Sequence, residues 1–98
     1  MTLFVVSTVE VSHDGEVSIS SDVELDEGVA KDMADTFMLG AVGRFLDIDD
    51  FGKMRDAVDK WAKERSSIYM GRMKWERIWK SDQLGGTTII TCVQETEI

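Results

Sequence analysis

Two stretches of apolar and polar alternation, residues 2 to 12 and 16 to 25, meet at Asp14-Gly15, and that meeting leaves the N-terminal quarter of the chain one simple way to fold. A type I′ turn needs positive φ at both central residues, which Asp-Gly supplies, so the two runs are expected to pair as an antiparallel hairpin. In the first run Leu3, Val5, Val9 and Val11 share one side, with Phe4, Val6, Thr8 and Glu10 on the other. In the second, Val17, Ile19, Val23 and Leu25 share a side and Glu16, Ser18, Ser20, Asp22 and Glu24 form the opposite row. The aliphatic row is expected to be buried, and the acidic row to look toward solvent or a partner.

After Leu25 the period changes. Asp26 is a good helix cap, and Val29, Ala30, Met33, Ala34, Phe37 and Ala41 recur at helical spacing, predicting a first helix over 27 to 45. Gly40 and Gly43 within it point to a close crossing with another element. Asp49 or Asp50 caps a second helix read over "DIDDFGKMRDAVDKWAKERSS", whose stripe is Phe51, Met54, Ala57, Val58, Trp61 and Ala62 and whose Asp56–Lys60 and Asp59–Lys63 pairs stand at i, i+4. The segment "IYMGRMKWERIWK" fits alternation better than a helical period, "SDQLGG" is a polar loop, and "TTIITCVQETE" is rich in β-branched residues. Residues 68 to 80 and 87 to 96 therefore read as a second hairpin. The expected fold is one α+β domain over residues 1–98. It is a two-layer sandwich of order ββααββ, with a four-stranded antiparallel sheet and two helices on one face. The other sheet face, left to water, is expected to carry Glu16, Ser18, Ser20, Asp22 and Glu24.

Composition narrows the function. The single cysteine, Cys92, forbids an intramolecular disulfide and favours a reducing, cytoplasmic setting; among Ile90, Thr91 and Val93 it reads as a small core residue. The run "MTLFVVSTVEV" is too short to span a bilayer and has no basic flank, which predicts a soluble protein. Net charge is −8, unevenly spread: residues 1 to 48 hold ten acids against Lys31 and Arg44, while residues 67 to 80 carry Arg72, Lys74, Arg77 and Lys80 against Glu76. Such a chain attracts basic surfaces and repels polyanions at long range.

No motif names a reaction. One Cys and one His, His13 beside the turn, leave out cysteine–histidine metal sites. "DIDD" departs from a calcium loop, because with Asp47 as its first position Val58 stands at the twelfth, where the bidentate glutamate belongs. "LGAVGRF" lacks the lysine and context of a phosphate loop. The expectation is a protein that is not an enzyme and takes no cofactor.

Two surfaces remain. Glu16, Asp22 and Glu24, extended by Asp26, Glu27, Asp32 and Asp35, form an acidic face for docking on a larger protein with a basic, nucleic-acid-binding surface. In size, acidity and absence of a catalytic motif, the chain resembles the small phage-encoded proteins that disarm bacterial defence nucleases, anti-CRISPR proteins among them, and the immunity proteins that neutralise bacterial toxins. That resemblance implies a non-catalytic inhibitor acting as a DNA mimic. The alternative surface is Tyr69, Arg72, Lys74, Trp75 and Trp79. It would serve a homodimeric assembly module through an aromatic sheet face, or single-stranded nucleic acid bound along residues 68 to 80. Against the latter, the tryptophans suit the core and the net charge opposes a polyanion.

Overall fold

A computed structural model of the chain describes residues 1–81 and 86–98; the loop expected at "SDQLGG" falls largely outside the described residues. Seven elements follow in order: β1 (Thr2–Val11), β2 (Val17–Glu24), α1 (Glu27–Leu46), α2 (Phe51–Trp61), β3 (Lys63–Tyr69), β4 (Arg72–Ser81) and β5 (Thr87–Glu97). The strands form one antiparallel sheet in the order β2-β1-β5-β4-β3.

The sheet therefore has five strands and the order is ββααβββ, not four strands in the order ββααββ. The difference lies at residues 63 to 71. The second helix stops at Trp61, and "KERSSIY", read from sequence as its last turns and the start of one long strand, is a strand of its own. Met70 and Gly71 then close a tight hairpin with φ of 52° and 75°, the pair of positive values that a type I′ turn requires. Lys63 consequently stands in a strand rather than one turn beyond Asp59, whose carboxylate instead lies 3.7 Å from Arg77 and 3.9 Å from Arg55.

Both helices begin where a carboxylate satisfies free amide groups. Asp26 accepts from the Val29 N–H at 2.9 Å, and Asp50 from the Lys53 N–H at 3.0 Å. They cross at Gly43, where an added Cβ would lie 2.9 Å from the Met54 side chain; the absence of a side chain is what admits α2 so closely. α1 lies over β1 and β5, and α2 reaches β4. The core beneath them has two parts. Met38, Leu39, Ala41, Val42, Val58 and Ile89 surround Trp79, while Val6, Ala30, Ala34 and Val93 surround Trp75. Phe45 meets Trp79 edge-on with ring centroids 5.8 Å apart. Both core indole N–H groups are satisfied: Trp79 donates to the Ala57 carbonyl at 3.3 Å and Trp75 to Glu64 at 2.6 Å.

Two helices, each about 10 Å wide, cannot roof five strands spaced about 4.8 Å apart. Both edge strands are left out: seven of the eight residues of β2 are exposed and Glu24 is half-buried, and residues 63 to 68 of β3 are all exposed.

Candidate functional site

The register of the first hairpin decides which way β2 faces. Val6 pairs with Asp22, Thr8 with Ser20 and Glu10 with Ser18. Since Val6 and Thr8 are buried under α1, the even row of β2 shares the helix-bearing side of the sheet. The expectation that this row lies on the sheet face opposite the helices is thus overturned. It is open to solvent because α1 stops short of β2. The aliphatic row is inverted too: Val17, Ile19 and Val23 are 53%, 68% and 51% exposed on the helix-free face, beside Val11, Val9 and Val5.

The step from β2 down to the sheet and up to α1 makes a trough. Only Leu25 and Asp26 separate β2 from α1, which runs back beside the strand, so the far end of the helix lies near the hairpin. One hollow of about 670 Å³ sits at that end, lined by Glu10, His13, Glu16, Arg44, Phe45 and Ile89 among others. A smaller one of about 220 Å³ continues along β2 between Ser18 and Ser20 on one side and Thr36, Phe37 and Gly40 on the other. Asp22 and Glu24 lie farther along the same row, and Asp26 and Glu27 follow at the start of α1. Asp32, a further turn along the helix, is exposed.

Charge in the trough is largely uncompensated. Arg44 donates to Glu10 at 3.0 Å and Lys31 lies 3.2 Å from Glu27, and these are the only two bases among residues 1 to 48. Glu16 and Asp14 flank the hairpin tip. The Ser12 hydroxyl and the Glu16 N–H both donate to Asp14, holding its carboxyl below the usual carboxylate range. Asp22 and Glu24, at i and i+2 on a strand, stand about 7 Å apart.

Asp35 does not belong to this face. Arg55 grips it in a fork at 3.0 and 2.6 Å, and Arg77 donates to it at 2.5 Å, on the side of α1 that meets α2 and β4. Its partners come from 20 and 42 residues away. Sequence reasoning missed Glu10, Arg44, Thr36 and Phe37 as trough residues. Glu10 was out of reach, because the two-residue type I′ turn expected at Asp14-Gly15 would pair it with Ile19; the loop instead spans residues 13 to 15, with positive φ at Gly15 alone, and that one-residue shift pairs Glu10 with Ser18.

The alternative surface comes apart in the structure. Trp75 and Trp79 are 6% and 0% exposed beneath the helices, whereas Arg72 and Lys74 belong to the opposite sheet face, so the tryptophans offer neither an aromatic dimer face nor a base-stacking platform. The side chain of Tyr69 lies outside the described residues. Lys74 and Arg65 hold Glu76 between them at 2.9 and 2.5 Å. Among the described residues, no group of three or more His, Cys, Asp or Glu side chains is placed to hold a metal ion, and no helix is long and apolar enough to cross a membrane. The chain matches no protein-family model, and neither a curated protein nor a solved structure is detectably similar to it.

Proposed function

We propose that this domain is a non-catalytic protein-binding module that receives a basic segment of a larger partner in the acidic trough between β2 and α1, and that the partner is a nucleic-acid-processing enzyme whose basic surface is thereby occupied. The observation that carries this reading is the placement of Glu16, Asp22 and Glu24 along one row, the first two exposed and Glu24 half-buried, with Asp26 and Glu27 continuing it and no base on β2 to neutralise it. A strand that leaves its carboxylates in water at regular spacing offers a cationic partner fast, salt-sensitive capture. The hollows beside Phe37 and Phe45 add apolar walls, against which the methylene stem of an arginine or lysine packs while its head meets Glu16.

A fluorescent deca-arginine peptide tests the surface directly. The reading expects binding that weakens at least tenfold between low and physiological salt, and that is lost in the triple variant E16K/D22K/E24K while circular dichroism stays unchanged. Undiminished binding by a folded triple variant would contradict it.

A further inference from the structure

β2 is the less guarded of the sheet's two edges. β3 presents Lys63, Glu64 and Arg65 at its start, the charged residues that commonly block an edge. β2, "VSISSDVE", has no lysine, no proline and an unbroken register with β1, hence no bulge. Its outward backbone groups can be assigned. The Ser12 N–H donates to the Glu16 carbonyl across the hairpin at 2.9 Å, and alternation along the register gives the even residues of β2 to the ladder with β1. The N–H and C=O groups of Val17, Ile19, Ser21 and Val23 therefore point away from the sheet. Val23 agrees: its N–H is taken by the Asp22 carboxylate at 2.8 Å rather than by β1.

We infer that β2 pairs with β2 of a second copy of this chain, antiparallel about a two-fold axis at Ser21, joining two sheets into one of ten strands. The register follows from complementarity. Centring on Ser21 sets Ile19 opposite Val23 and Val17 opposite Leu25, so the exposed aliphatic residues of one copy cover those of the other. On the helix side it sets Asp22 opposite Ser20 and Glu24 opposite Ser18, so every carboxylate within the strand faces a hydroxyl, and beyond the strand ends Glu16 falls opposite Asp26. Neighbouring registers fail. Centring on Ser20 leaves Ile19 against Ser21, and centring on Asp22 opposes that aspartate to itself. Because the carboxylates of both copies gather on one side, added salt strengthens this pairing, the reverse of its effect on a basic partner. The two α1 helices would then flank two uncovered strands, about 20 Å between axes, leaving an acidic gap of about 10 Å, the width of one helix.

The interface is one strand deep, below the standard area of a tight complex, and a dissociation constant on the order of 1–100 µM is expected. Sedimentation velocity on the full chain across that range is the test. The wild type should pass from one to two chain masses, at lower concentration in higher salt. S21P, which removes an outward N–H and no bond to β1, should remain at one chain mass with an unchanged fold, and I19K gives the same readout without touching the backbone. S21C in a C92S background should oxidise to a disulfide dimer, since directly opposed residues bring their Cα atoms to about 5.5 Å. A wild type that stays monomeric throughout, or a dimer that survives both S21P and I19K, overturns the inference.

Discussion

Asp35 and Asp32 sit one turn apart on α1, and replacing each by alanine separates carboxylates that hold the fold from those free to meet a partner. Asp35 accepts from Arg55 and Arg77, and the side chains of Asp35 and Arg77 are 23% and 14% exposed. Removing one partner of a buried pair costs about 3–5 kcal/mol, because the other charge remains desolvated. Arg77 keeps only a distant contact with Asp59 at 3.7 Å, and its Nε already has no partner. Partial exposure reduces the figure, and Arg55, more open to water, adds little. D35A should therefore destabilise the domain by about 2–3 kcal/mol, whereas D32A, at an exposed position without an ion-pair partner among the described residues, should stay within about 0.5 kcal/mol. Urea unfolding followed by tryptophan fluorescence measures both. Replacing the pair with apolar side chains, D35L/R77M, should recover at least half of the loss, since the desolvated charge goes with its partner. A D35A loss below about 1 kcal/mol, or a loss unchanged in an R77M background, would refute the burial argument.

Three further outcomes follow from local geometry. G71A places a Cβ at a φ of 75° in the β3–β4 turn and should cost about 1–2 kcal/mol, read as a lower thermal midpoint, while an unchanged midpoint would mean that the turn is not as described. Glu76 is held below the usual carboxylate range by hydrogen bonds from Lys74 and Arg65. Its contribution is therefore present above the ordinary carboxylate pKa and lost as pH falls through the lower folded value, and E76Q should flatten the acid limb of the stability curve. Burial pushes the Cys92 thiol up, so its alkylation by iodoacetamide at pH 8 should be slower than that of an unfolded control, and equal rates would contradict the burial.

The fold was legible where sequence pattern and turn chemistry agreed. The caps Asp26 and Asp50 and the β-branched run of β5 mark their elements directly, whereas Asp14-Gly15 marks the hairpin but not its register, since the loop is one residue longer than the type I′ turn that pair suggests. β3 was hidden because "KERSSIY" carries one aliphatic residue, and its charges continue the i, i+4 pattern of the helix before it. Such a strand forms because Met70-Gly71 folds it onto β4, a cause that lies downstream of it. The site was legible as a row of carboxylates but not as a face. Alternation shows which residues lie together, whereas which side the helices cover depends on Val6, Thr8 and Thr91 fitting under α1. Aliphatic Ile19 and Val23 in water invert the rule that the greasy row is the covered one, and an edge strand beyond the helix layer is where that rule loses its force.

The most direct measurement is an amide NMR titration of the folded chain with a short oligo-lysine peptide. An acidic trough between β2 and α1 predicts shifts concentrated at Ser18, Ser20, Asp22, Glu24 and Thr36, erased by salt. Shifts of equal size at Asp49, Asp50 and Asp56 on and beside α2 would show attraction to net charge alone and contradict the trough as a binding surface.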